Sequence, residues 1–294
     1  PEIEVIDIRD SFLPKIFGEE DAEKKRWLFN DAYSNTISKF IKDNNCELLA
    51  DGTILPDIEE SFGVKISDLR ETMSLKDELN LKEKNKRGFI KSQHNLEIEY
   101  DVEATIQPVA SLTKPEIRSI LTYLNMPQEL IYRKAFPGPA LAARIIGPVT
   151  MQNLVYEKKK TMIINEHGEQ EPFQGFAAIG EDILLKKVTG MVNGKRTYEI
   201  PLSIKGEWDF EKLTIFASRL QGYARLLYEL HESNQGIYDI IIRSVNSIDA
   251  RKASVTNLPI HLLEEIKYKL LELTDTKNIY FDITPKPPAT IEYV

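Results

Sequence analysis

The stretch Arg133-Lys-Ala-Phe-Pro-Gly-Pro-Ala-Leu-Ala-Ala-Arg-Ile-Ile-Gly147 constrains this chain most. Pro137 and Pro139 fix φ and remove two amide donors, and Gly138 between them accepts φ > 0, so 136–139 is neither helix nor ladder strand. It must be a stiff loop. Arg133 and Arg144 flank it, and planar, permanently charged guanidinium groups beside rigid backbone suit a phosphate or a carboxylate. The same pattern suits an interdomain connector with solvated charges, and these residues alone leave both readings open.

The chain's 294 residues are enough for two ordinary domains, and 42% hydrophobic residues supply sizeable cores. No apolar run approaches the roughly 20 residues of a membrane helix, so no membrane partner is expected. Net charge −8 argues against a general nucleic-acid binder, which needs a basic field. A single cysteine, Cys46, excludes an internal disulfide framework and fits a reducing, cytoplasmic setting. The opening Pro1-Glu-Ile-Glu-Val5 lacks the basic n-region of a secretory signal.

Taken in order, Glu4–Ile8 reads as a buried strand, as if the chain started mid-fold, and 21–42 as a long amphipathic helix with Leu28, Ala32, Ile37 and Ile41 on its apolar side. Glu47–Ala50 reads as a short buried strand. It runs into Asp51-Gly-Thr-Ile-Leu-Pro-Asp57, where Gly52 permits close backbone approach and carboxylates follow a strand's C-terminal end, the ligand-binding edge of α/β sheets; a plain turn with a solvated carboxylate is the other reading. Residues 63–87 read as a charged helical or mobile insertion. Phe89-Ile90 then ends a strand and delivers Lys91, suited to phosphate oxygens, followed by His94 and Asn95. Ala104–Gln107 is a third strand, and 113–124 a helix capped by Thr113 or Ser111 with Pro115 in its first turn. Strand then helix, repeated, indicates a parallel α/β sheet.

Beyond the Pro-Gly-Pro loop, 150–166 reads as a lysine-rich helix and 172–198 as strands, with a hairpin at Asn193-Gly194 between 184–188 and 196–198. An internal echo follows: a strand at 198–204 with a helix from Phe210 to Leu230, then a strand at 238–245 with a helix from Leu262 to Leu273. A last strand, 278–283, leads into the proline-rich tail Thr284-Pro-Lys-Pro-Pro-Ala-Thr-Ile-Glu-Tyr-Val294, which is stiff for a chain end; a solvated extension is the alternative.

Lys91-Ser-Gln-His-Asn95, Phe136-Pro-Gly-Pro139 with Leu141-Ala142 and Arg144, and Lys286-Pro-Pro-Ala-Thr-Ile-Glu292, in that order, resemble the GMP synthetase family, glutamine-dependent ligases that aminate xanthosine monophosphate. Further matches run through Asp21 to Arg26, Gly52-Thr53, Pro56-Asp57, Glu60-Ser61, Gly190 and Arg196 to Tyr198. The resemblance implies an α/β fold: an ATP pyrophosphatase domain of the parallel-sheet adenine-nucleotide α-hydrolase type at 1–135, N-terminally truncated, and a smaller α/β substrate and dimerisation domain at 136–294. It implies that ATP adenylates the xanthine 2-oxygen, releasing pyrophosphate on Mg²⁺, and that ammonia from a glutaminase domain or subunit displaces AMP. Gly52, Thr53, Lys91 and Asn95 would line the ATP and pyrophosphate site, with Lys91, His94 and Asp57 catalytic and Asp57 also supporting the metal. Arg133, Phe136, Pro137, Gly138, Gln174, Arg196, Arg243, Lys286, Thr290, Ile291 and Glu292 would bind xanthosine monophosphate, with Lys286 toward the phosphate and Glu292 toward the base. The charged insertion and the duplicated unit at 201–238 are similar to the longer, eukaryotic-type members, implying a homodimer or an internal pair in its place.

The sequence also departs from the family pattern. The Ser-Gly-Gly-Val-Asp-Ser phosphate loop is absent from the chain, so this segment alone is not expected to bind ATP productively. The family's paired histidines appear as Gln93-His94, its glutamine before Gly-Thr is Asp51, its acid and arginine of the third strand are Gln107 and Ala110, its histidine after Arg133 is Lys134, and its turn aspartate is Gly194. A non-catalytic nucleotide-binding relative is the competing reading. Another ATP pyrophosphatase, such as a NAD synthetase or a tRNA-thiolating enzyme, fits the tail poorly.

Overall fold

The computed structural model describes residues 5–62, 102–132, 140–166, 173–193, 195–247, 252–273 and 275–293. The chain divides into two compact units, one of residues up to Ile8 with 29–132, the other of 9–28 with 133–294. Lys91, His94, Asn95, Arg133, Phe136, Pro137, Gly138 and the insertion at 63–87 lie outside the described residues.

In the first unit, β1 (Leu48–Ala50) and β2 (Ala104–Ile106) pair in parallel, Leu48 opposite Ala104 and Ala50 opposite Ile106. This is the parallel pairing expected of strands separated by a long connection. Each strand hands over to a helix, β1 to α3 (Leu55–Phe62) and β2 to α4 (Lys114–Tyr123), followed by the short α5 (Gln128–Ile131). Pro115 occupies the first turn of α4, and the Glu116 carboxylate accepts from both the amide and the hydroxyl of Thr113 at 2.7 Å. That closes the helix start as the Thr-Lys-Pro-Glu spelling predicts. Leu48 is 55% exposed, so β1 is a partly open strand and not the buried one expected.

The opening strand is not formed. Val5–Ile8 carries no strand, and Val5 is exposed; helix α1 (Arg9–Ile16) follows instead and buries Ile16. The long helix α2 (Ala22–Asp43) forms as read, with Ala32 and Ile41 buried.

The second unit is built on a seven-stranded mixed sheet of order β3-β4-β9-β11-β8-β7, with β10 (Ser254–Val255) pairing β9. The strands are β3 (Ile145–Ile146), β4 (Phe173–Gly180), β7 (Leu202–Ile204), β8 (Leu226–His231), β9 (Tyr238–Asn246) and β11 (Thr276–Asp282). One face is covered by α6 (Met151–Glu166), α7 (Phe210–Ser218) and α8 (Ile260–Leu271) over Ala177, Ile179, Leu226, Ile240, Ile242 and Phe281. Side chains of opposite parity, Phe176, Leu227, Ile241 and Tyr280, form a second cluster with Val188 and the tail residue Tyr293.

Two elements differ from expectation. The hairpin at Asn193-Gly194 joins β5 (Val188–Val192) to β6 (Lys195–Glu199), while Ile183–Leu185 is a 3₁₀ turn. The helix expected from Phe210 to Leu230 stops at Ser218; Gly222 takes φ +76°, the chain reverses, and Leu226–His231 becomes a strand buried between β11 and β7. Apolar residues in a run of this kind do not distinguish a buried strand from a helix. The echo is nonetheless visible in the topology. β7-α7-β8 and β9-α8-β11 are each strand, helix, parallel strand, and they meet where β8 and β11 run antiparallel.

Candidate nucleotide-binding site

The tail does not fray. Ala253 and Lys286 exchange backbone hydrogen bonds (3.1 and 2.8 Å), Met191 donates to Pro288, and Thr189 donates to the Tyr293 carbonyl, so the segment lies along β5 and beside β10. Ala289 and Tyr293 are fully buried. Underneath is a polar cluster carried by the central strands. Arg225, Arg243 and Asp282 are all 0% exposed. Arg225 Nη1 reaches Asp282 at 2.9 Å, and its Nη2 donates to Thr290 Oγ1 at 2.7 Å and to the Glu292 carbonyl at 2.6 Å. Arg243 donates to the carbonyls of Thr284 (2.6 Å) and Thr290 (3.0 Å) and lies 3.3 Å from Asp282. The Tyr293 hydroxyl donates to Asp282, and Arg225 stacks over its ring at 4.1 Å.

Burial alone would raise the Asp282 carboxyl, but Arg243 and Arg225 outweigh it and hold the group below the usual carboxylate range. Two cations against one carboxylate leave positive charge under the tail, balanced by tail carbonyls.

The last carboxylate of the tail, Glu292, meets Arg144 through Nε at 3.3 Å. Arg144 also contacts Glu157 of α6 at 3.2 Å and stacks over Phe176 at 4.4 Å. Burial pushes the carboxyls of Glu292 and Glu157 up, against the pull of Arg144. Arg144 thus holds carboxylates, one of the two anions its position beside the Pro-Gly-Pro loop suggests. Among the other residues expected at this site, Gln174 lies on β4 opposite Val245, Ile291 packs against the cluster around Phe176 and Tyr280, and Thr290 is fixed by Arg225 and by the Thr189 hydroxyl at 2.8 Å. Arg196 is placed elsewhere in the unit, sharing Glu23 with Arg26 (3.1 and 2.7 Å), while the Tyr198 hydroxyl donates to the same carboxylate.

In the first unit, Asp51, Gly52, Thr53 and Gln107 come together at the carboxyl ends of β1 and β2. Asp51 accepts from the Thr53 amide at 3.0 Å, and the Gln107 amide lies 3.4 Å from both Asp51 and Thr53. A Cβ at Gly52 would meet nothing within 4 Å among the described residues. Asp57 accepts from the Ile54 amide at 3.0 Å, closing the first turn of α3. Among the described residues no group of three or more His, Cys, Asp or Glu is placed to hold a metal ion.

Sequence reasoning does not single out Arg225, Asp282, Thr189, Tyr293 or Glu157. The available signal is a charge inside an apolar strand, as in Ile240-Ile-Ile-Arg-Ser-Val245: such a residue in a strand buried on both faces must be paired.

Residues 231–293 match the family GMP synthase C terminal domain. Over 99% of its length the chain is 29% identical to a glutamine-hydrolyzing GMP synthase subunit of Sulfurisphaera tokodaii, spanning 79% of that protein. It is 29% identical over 98% of its length to the corresponding GMP synthase subunit of Archaeoglobus fulgidus, spanning 74% of it. It is also 29% identical to the glutamine-hydrolyzing GMP synthase of Pyrobaculum aerophilum, of which it spans 46%.

Proposed function

We infer that this chain, a GMP synthase relative over nearly its whole length, is the synthetase part of a ligase that aminates xanthosine monophosphate at the expense of ATP, with ammonia delivered by a glutaminase subunit or domain. The observation that carries this reading is the tail. A segment spelled Lys-Pro-Pro-Ala-Thr-Ile-Glu is held rigid by two buried arginines, leaving Lys286 at one end and the Glu292 carboxylate at the other. A nucleoside monophosphate needs such a pair, a cation for the phosphate and an acceptor for ring N–H groups. Thr290 and Ile291 between them would line the sugar and base, with Gln174 and Arg243 supporting from the sheet and Arg196 on the substrate side.

The cluster at the ends of β1 and β2 supports an ATP site in an adenine-nucleotide α-hydrolase-like domain at 1–135, with 136–294 as the substrate and dimerisation domain. Thr53 and the Gly52 backbone would approach the nucleotide; Lys91 and Asn95 would meet the pyrophosphate, and His94 would act beside them. Arg133, Phe136, Pro137 and Gly138 would close on the monophosphate. Asp57 fits one carboxylate contact to a hydrated Mg²⁺ carried by the phosphates, whose charge the ion would neutralise. Catalysis in this reading is positioning and charge neutralisation.

Calorimetric titration of the chain with xanthosine monophosphate, with and without MgATP, tests the tail. Lys286→Ala and Glu292→Ala are each expected to weaken binding by about tenfold or more, and wild-type affinity in both folded variants would sink the assignment.

A further inference from the structure

Three donors converge on one oxygen of Glu23. Arg26 Nη1 lies 2.7 Å and Arg196 Nη1 3.1 Å from Glu23 Oε1, and the Tyr198 hydroxyl donates to the same atom. Arg26 Nη1 also stands 3.1 Å from the Tyr198 oxygen, so these two donors meet independently of the carboxylate. Arg196 and Tyr198 sit two residues apart on β6, opposite Met191 and Thr189, and so share one side of the hairpin. The donors are set deep and the acceptor is not: the Arg26 side chain keeps 2% of its surface and Arg196 20%, against 47% for Glu23. Burial alone would raise the Glu23 carboxyl, but the Tyr198 hydroxyl and the two guanidinium groups outweigh it and hold the group low, so it is ionised. An ionised carboxylate oxygen offers about two lone-pair directions, and three donors exceed them. The several oxygens of a phosphoryl group would not be crowded in this way, and paired guanidinium groups suit such a group.

We propose that Arg26, Arg196 and Tyr198 form a phosphoryl-binding site in which Glu23 is the resident stand-in: an arriving phosphoryl group takes the three donors, and the Glu23 side chain swings into water. An ion pair that opens to water contributes little, so Glu23 is the replaceable member. Its departure needs only side-chain torsions, because the start of α2 is held separately, the Asp21 carboxylate accepting from the Lys24 amide at 2.8 Å. The proposal deepens the substrate-side reading of Arg196, and it rests on that reading only for which phosphoryl compound arrives, the nucleotide or free pyrophosphate.

The test titrates wild type, Glu23→Ala, Glu23→Gln and the double variant Glu23→Ala with Arg196→Gln, in the intact chain, with inorganic pyrophosphate and with xanthosine monophosphate, by calorimetry at constant ionic strength. Removing the stand-in is expected to tighten phosphoryl binding by about tenfold, with Glu23→Gln intermediate and Arg196→Gln cancelling the gain. In glutamate-labelled wild type, saturating phosphoryl ligand moves the Glu23 carboxyl ¹³C resonance toward that of a solvated glutamate. A Glu23 that only braces α2 against the hairpin would lower the thermal midpoint on removal and leave phosphoryl affinity at or below wild type. That result, a Glu23 resonance unmoved at saturation, or no saturable binding in any variant overturns the proposal. Failure of the substrate-side reading is distinguishable: a gain for pyrophosphate alone sustains the site and takes Arg196 out of nucleotide binding, while a gain for xanthosine monophosphate sustains both.

Discussion

Single residues in this chain are placed by what burial does to their charge. Lys25 shows it clearly. It is 0% exposed on α2, and its ammonium donates to the carbonyls of Ile145 (2.8 Å) and Gly147 (2.6 Å), with no carboxylate in contact among the described residues. Burial pushes the ammonium down to about 8, partly offset by Glu19 and Glu20. An unfolded lysine titrates near 10.4, roughly, so between those values the unfolded chain binds more protons than the folded one. Stability is therefore expected to rise as pH climbs from about 8 toward about 10.5. Lys25→Met should flatten that rise, measured by urea unfolding across the pH range; an unchanged slope would assign it to another group. Asp282 gives a slope of the same sign in the acid range. Held low by Arg225 and Arg243, it stabilises the fold above the unfolded aspartate value, and that contribution is lost as pH falls through its own lower value.

At the scale of elements, the connections set the topology. Gly236 has φ +93° in the turn between β8 and β9, and a Cβ there would lie 2.3 Å from the Thr276 carbonyl oxygen. The turn is pressed against the start of β11, the strand that separates β8 from β9 in the sheet. Gly236→Ala is expected to cost about 2–4 kcal/mol, combining left-handed backbone strain with a backbone clash. A midpoint of denaturation within error of wild type would show that the turn relaxes. The helix α6 makes a second point. It faces the sheet with Asn153, Glu157, Lys160, Thr161 and Ile164, a mostly polar stripe. That stripe is tolerable because its groups are paired, Lys160 to Asp275 at 2.8 Å and Glu157 to Arg144.

At the scale of the whole molecule, the duplicated strand-helix-strand layout bears on assembly. Two such units already meet through β8 and β11 inside one sheet. This supports an internal pair standing where a second protomer would otherwise be needed. A monomer is expected by sedimentation equilibrium at micromolar concentration. A dimer would overturn the internal-pair reading and would point to the α7 face, where Ile215 and Phe216 are each 54% exposed, as covered by a second copy.

What the sequence by itself determined is local or strongly spelled. The α2 and α4 helices, the parallel β1–β2 pairing, the Asn193-Gly194 hairpin and the stiffness of the Pro-Pro tail each follow from backbone chemistry and the connections between neighbouring elements. Its motifs resembling the GMP synthetase family also carry the ligase reading. Tertiary structure decided what depends on partners far along the chain. Leu226–His231 became a strand because β11 and β7 flank it, while Val5–Ile8 carries no strand. Arg225, Arg243 and Asp282, separated by up to 57 residues, became one cluster because β9 and β11 carry two of them and Arg225 immediately precedes β8. Burial strengthens such pairings by removing water, and no local pattern records which strands will be neighbours.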